Sequence, residues 1–192
     1  MTLFVAGLLV FLGIHSISIV APRWRDAQAA RMGENAWKGL YAVASIVSLV
    51  AMIHGYGIAR QLPVMVYAPS IALHHLAFLL MLPVFPLLIA AYLPGRIKRL
   101  ARNPMLLAVI LWAASHLLAN GTLNDLLLFG AFLVWSAADL ASSYARDRRN
   151  GVVYPEPQLA ATAGAVVVGL VLYAVLIGGL HLWLFGVSPL AM

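Results

Sequence analysis

Six histidines carry most of the chemistry open to this chain: His15, His54, His74, His75, His116 and His181. Each lies inside, or at the edge of, an apolar stretch long enough to cross a bilayer, and none falls in a basic loop. An imidazole in hydrocarbon is costly unless it meets a partner, a cavity or a ligand, which makes such residues functional candidates. There is no cysteine, so thiolate ligation and disulfides are excluded. Imidazole also suits zinc, copper and nickel, but carboxylate co-ligands are scarce within the apolar stretches. That balance favours haem iron, whose porphyrin brings its own nitrogens. No phosphate-cradling glycine loop, Ser-His-Asp order, paired intramembrane carboxylates or His-Glu-x-x-His motif is present.

The composition sets the surroundings of these imidazoles. The chain has 192 residues, 64% hydrophobic and only 9% charged, with a mean hydropathy of +0.96. A soluble domain normally carries about a quarter charged residues, so the chain belongs in a membrane. Six spans are expected, joined by short loops into a single domain over 1–192, an all-α polytopic bundle. They run from about Thr2 to Val20, Ala36 to Ile58, Ala68 to Leu93, Pro104 to Asn120, Thr122 to Tyr144 and Leu159 to Phe185. Pro22 stops the first and Pro94-Gly95 the third, and Pro104 opens the fourth. Asn120-Gly121 caps the fourth span, and Thr122 followed by Asp125 resembles a capping box that restarts the chain. Pro83 and Pro86 each remove a backbone donor inside span three and predict a kink, which either bends a packing helix or opens room beside His74 and His75. Met1 opens directly onto an apolar run with no basic stretch or small-residue cleavage site, so the first helix is expected to be retained.

The net charge of +6 does not point to nucleic acid, because the basic residues flank apolar spans. Eleven of the twelve Lys and Arg residues fall in Arg23–Lys38, Arg96–Arg102 and Arg146–Arg149, with Arg60 alone on the other side. The positive-inside rule then places both termini of a multi-pass membrane protein outside the cytoplasm, which in the bacterial inner membrane implied by the resemblance described below is the periplasm. Membrane lipid is the one partner the composition itself demands.

Depth along the spans decides which imidazoles can share a ligand. At 1.5 Å per residue, His116 lies ~18 Å from the cytoplasmic start of its span and His74 and His75 ~9–11 Å from the outer start of theirs, a similar depth. His15 lies only ~8–10 Å from the inner face, so His15 and His116 are offset by ~8–10 Å before helix tilt is counted. Pure geometry therefore favours His116 with His74 or His75. Arg23 and Arg25 stand near the inner end of the His15 helix, where they either hold haem propionates or simply anchor the helix. His54 and His181 sit near outer span ends, where an interfacial role is cheap. Asp139 lies near the inner end of span five and reads as a carboxylate paired with a basic loop.

Several segments together resemble the NnrU family of bacterial membrane proteins. They are Gly13-Ile14-His15-Ser16, Gly33-Glu34-Asn35-Ala36-Trp37-Lys38-Gly39-Leu40-Tyr41, Tyr92-Leu93-Pro94-Gly95-Arg96-Ile97-Lys98, Asn103-Pro104-Met105-Leu106-Leu107, and Trp112 through His116 to Gly121. The resemblance implies a role in nitrite and nitric-oxide metabolism during denitrification. That family is in turn similar to ζ-carotene isomerase, an integral membrane haem-b enzyme, which implies haem b as cofactor and redox or isomerase chemistry with a lipophilic substrate or a redox partner. By motif, the isomerase's two ligand histidines fall on His15 and His116. The isomerase has a cysteine where this chain has Ala113, and relatives usually have histidine where it has Asn103. The motif thus selects His15 with His116, while depth selects His116 with His74 or His75.

Overall fold

A computed structural model of the chain describes residues 1–190; Ala191 and Met192, the end of the expected 1–192 domain, lie outside the described residues. Apolar, strand-free sequence becomes helix because a backbone in hydrocarbon must satisfy its own hydrogen bonds. Helix α1 (Thr2–Val20) ends at Ala21 ahead of Pro22, which opens α2 (Pro22–Met32). The basic stretch after the first span, expected as a loop, is therefore helical. Gly33, at φ 84°, makes the left-handed turn into α3 (Glu34–Ala59), a conformation glycine adopts without steric cost.

The two prolines of span three act as expected. Helix α4 (Ile71–Met81) stops at Leu82-Pro83, and α5 (Val84–Ala90) restarts immediately. A short α6 (Arg96–Ala101) occupies the next basic loop, followed by α7 (Pro104–Ala119) and α8 (Leu123–Arg149). Thr122 caps α8, its hydroxyl accepting from the Asp125 backbone N–H at 3.4 Å. Helix α9 (Leu159–Val175) passes through a π-helical turn, Leu176–Leu180, with Gly179 at φ 157°, into α10 (His181–Phe185). Among the described residues, five segments are long and apolar enough to cross a membrane: Thr2–Val20, Glu34–Ala59, Ile71–Ala90, Leu123–Arg149 and Leu159–Phe185. The expected fourth span is shorter, 16 residues, or about 24 Å against a hydrocarbon core of about 30 Å.

Packing places the helices in the order α3, α1, α8, α7, α4/α5, α9, while α2 lies on α1 and α3. The α1–α3 seam is backbone to backbone. Gly7 lies against the Met52 backbone and Gly55 against that of Phe4. Phe4, Leu8 and Met52 form the buried core there, with Leu49, Tyr56, Leu128 and Phe132 packed on it. Outward faces stay apolar, as Leu9, Val43, Ile46, Val47 and Ile53 are all exposed; in a bilayer those faces meet acyl chains. At the end of the bundle away from the basic loops, Val66 N–H donates to the Gly121 carbonyl at 2.9 Å and Leu123 N–H to that of Val64 at 2.8 Å. Arg60 Nη1 donates to the Phe185 carbonyl at 3.0 Å, tying α3 to α10.

Candidate functional site

His15 sits where α1, α3 and α8 meet. Its Nδ1–H donates to the Phe11 carbonyl one turn back at 2.7 Å. Since a carbonyl only accepts, the proton belongs on Nδ1 and the neutral ring keeps its lone pair on Nε2. Phe11 covers the ring at 4.2 Å between centroids, Tyr41 meets it edge-on at 5.3 Å and Trp135 stands perpendicular at 6.0 Å. One buried donor against His15, Trp135 Nε1, lacks any partner among the described residues. A buried donor left unmet costs about 1–3 kcal/mol, so an acceptor placed beside this indole would be stabilising. Beside it, a cavity of about 690 Å³ opens between α1, α2 and α3, and His15, Arg25, Trp37 and Tyr41 are among its walls.

His116 occupies a second aromatic box on α7. Its Nδ1–H donates to the Trp112 carbonyl at 2.8 Å, which again leaves Nε2 as the lone-pair nitrogen. The ring stacks on Phe129 at 4.5 Å and leans on Trp112 at 5.2 Å. Asn120 closes the turn below, its Nδ2 donating to the His116 carbonyl at 2.9 Å. Phe132 joins the two groups of rings, lying 6.0 Å from Phe11, 5.6 Å from Trp112 and 6.4 Å from Trp135.

Helix α8 is thus the ruler for the pair. His116 lies level with Phe129 and His15 with Trp135, six residues further along, or about 9 Å of rise. The offset read from depth alone is present in the folded chain. In this packing the two imidazoles do not converge on one point, since metal–nitrogen bonds are only about 2 Å long. The donor chemistry fits haem nonetheless: two imidazoles with Nδ1 tied to a backbone carbonyl and Nε2 left over, aromatic walls and one orphaned indole N–H. Among the described residues, no group of three or more His, Cys, Asp or Glu gathers to hold a bare metal ion.

The other candidates are dispersed. His75 is exposed and His74 half-buried on α4, which packs on α7 but not on α1. His54 is exposed on α3. His181 donates from Nδ1 to the Val187 carbonyl at 2.7 Å and so closes the end of α10. Arg25 lines the cavity and pairs with Asp26 at 2.7 Å. Arg23 is exposed on α2 and stands outside the cavity wall. Asp139 does pair with the basic end of its own helix, through Arg146 Nη2 at 3.2 Å. Arg146 also reaches Ser142 Oγ at 2.6 Å and the Ser18 carbonyl at 3.4 Å, which clips α1 to α8.

Sequence reasoning missed the walls. Phe129, Phe132 and Trp135 recur every third residue of α8, a visible stripe, but apolar stripes are common and only the fold aims this one at both histidines. Tyr41 reads as a residue of the membrane entrance until α1 is laid beside α3. At the far end, Tyr56 donates to Asp125, whose other oxygen accepts from Thr122 at 2.5 Å, so the capping carboxylate also bonds α3 to α8.

No curated protein and no solved structure matches the chain. The profile of one family, described as NnrU protein, matches residues 3–189. That match covers nearly the whole bundle, including both aromatic boxes and the cavity between α1, α2 and α3, and on it the chain belongs to the NnrU family.

Proposed function

We propose that this protein binds haem b in the bacterial inner membrane and acts in nitrite and nitric-oxide metabolism, by redox or isomerase chemistry on a lipophilic substrate. The observation that carries the proposal is the matched state of His15 and His116. Each has Nδ1–H tied to a carbonyl of its own helix and Nε2 free within aromatic walls. Outer hydrogen bonds of this kind orient metal-ligating histidines and fix their tautomer. His15 and His116 would hold the haem iron, with Arg25 placed at the cavity for a propionate and Arg23 nearby on the same helix. Haem bound there would supply a one-electron redox metal.

The topology belongs to the same proposal: six crossings with both termini periplasmic. Helix α7 lies between α4/α5 and α8, and only Asn120 to Thr122 separates it from α8. So short a turn makes α7 an antiparallel neighbour of a full-length span, and its shortness is met by local thinning of the bilayer or by neighbouring helices. Reporter fusions after Arg99 and near the C-terminus should read cytoplasm and periplasm.

Absorption spectra of the detergent-purified protein, oxidised and reduced, test the cofactor. A haem spectrum that both His15→Ala and His116→Ala alter supports the pair, and loss on His75→Ala with His15→Ala silent would reassign the ligand. The ~9 Å offset along α8 favours a second reading, a membrane scaffold or transporter whose histidines serve packing or proton movement. A colourless protein from haem-replete cells, with pH-dependent transport in proteoliposomes, would establish that reading instead.

A further inference from the structure

The cavity between α1, α2 and α3 has a feature of which the haem reading uses only Arg25, the residue for which a propionate and the guest described here would compete. Its rim carries four charged side chains in two pairs: Arg25 with Asp26 at 2.7 Å and Lys38 with Glu34 at 2.7 Å. The charges sum to zero, yet two cations and two carboxylates face one space of about 690 Å³. All four side chains are more than half exposed, and such pairs are held by no more than about 1 kcal/mol. Re-pairing them with a guest of both signs therefore costs little. Trp37 lines the same cavity and meets Trp24 of α2 edge-on at 5.9 Å, which sets the rim at headgroup level, where indoles collect.

Further along the same two helices lies a second, apolar groove. Ile14 and Ile17 form the α1 wall of the cavity, and the same stripe runs on through Val10, Gly7 and Leu3 of the groove at helical spacing of three and four. On α3, Tyr41 is followed by Ala44, Ser48 and Ala51 along one face. This upper groove encloses about 380 Å³ and is walled almost wholly by apolar atoms. It exists because α1 and α3 touch backbone to backbone at Gly7 and Gly55 and part towards α2. From Lys38 to Ala51 the groove is about 20 Å long, more than one leaflet of hydrocarbon.

We infer that cavity and groove together hold one zwitterionic phospholipid bearing a primary ammonium: phosphate on Arg25 and Lys38, ammonium on Asp26 and Glu34, one acyl chain along the groove. An anionic headgroup would bring its charge against both carboxylates. A quaternary ammonium has no N–H to give them, whereas a primary ammonium has three. The inference goes beyond the haem proposal and needs no cofactor.

The test is lipid retention by the full-length protein in detergent, read by native mass spectrometry after exchange against equimolar phosphatidylethanolamine, phosphatidylglycerol and phosphatidylcholine. One phosphatidylethanolamine should be retained at least several-fold over each of the others. Asp26→Asn with Glu34→Gln should erase that preference, and Arg148→Gln, on the same membrane side but outside the cavity, should leave it. Ala44→Trp, which fills the groove, should remove the retained lipid of every class. Equal or stronger retention of phosphatidylglycerol or phosphatidylcholine overturns the inference, as does a preference untouched by the double substitution or the absence of any retained lipid.

Discussion

Alanine at Gly7 should force α1 away from α3. A Cβ there would stand 2.6 Å from the Met52 nitrogen and 2.9 Å from its Cα, and one at Gly55 would press equally hard on the Phe4 backbone. Ordinary carbon contacts settle near 3.5–4.0 Å, and backbone atoms of a helix cannot swing aside, so the axes must part by about 1 Å. Overpacking of this kind costs about 1–3 kcal/mol. Replacing a helical glycine returns about 0.5–1 kcal/mol, which leaves a net loss of up to about 2.5 kcal/mol. At about 2–4 °C per kcal/mol for a chain of this size, the midpoint of thermal unfolding should fall by up to about 10 °C. The controls lie on the same two helices, because a Cβ at Gly13 or Gly57 meets nothing within 4 Å. Gly13→Ala and Gly57→Ala should therefore leave the midpoint unchanged or raise it. The assay is circular dichroism against temperature in one detergent, with the four variants side by side. Equal shifts at Gly7 and Gly13, or a rise at Gly7, would refute the close seam.

Thr122→Ala removes the cap of α8 and one donor to Asp125; a loss of about 1–2 kcal/mol is expected, with Thr122→Ser restoring most of it in the same assay. Asp139→Asn strands the partly buried Arg146 charge, so it should destabilise more than the double variant with Arg146→Gln, whereas simple additivity would show the pair to be uncoupled. In the loop after α8, burial and then a 2.7 Å hydrogen bond to Asp147 push the Tyr154 phenol up to about 12. Because the folded value is the raised one, the stability it contributes is complete below the unfolded value of about 10 and is lost as pH rises through about 12. Ultraviolet titration of phenolate should show this group moving down on Asp147→Asn; an unchanged titration would deny the contact.

The class of the protein, five of the expected spans and the α8 cap were legible in residues alone, because hydropathy, proline and capping act over one turn or one bilayer width. Hydropathy reads the Pro104–Asn120 stretch as a span like the others, and its proline start and Asn-Gly end already mark it as short, as the helix Pro104–Ala119 bears out. The basic stretch at Arg23–Arg31 reads as a topology signal, yet its few apolar side chains do not reveal that it forms α2 and floors a cavity.

For the candidate site, sequence determined that imidazole, with no thiolate beside it, is the donor type the chain offers and, by helix rise, that His15 and His116 stand at different depths. Those quantities depend on composition and on distance along one helix. Tertiary structure alone decided that Tyr41 and Trp135 stand against His15, that Phe129 stacks on His116, and that His75 faces outward. Each of those facts depends on how one helix is rotated and shifted against another. That rotation is set by contacts between residues far apart in the chain, such as Gly7 with Met52 and Gly55 with Phe4, and no local pattern encodes it.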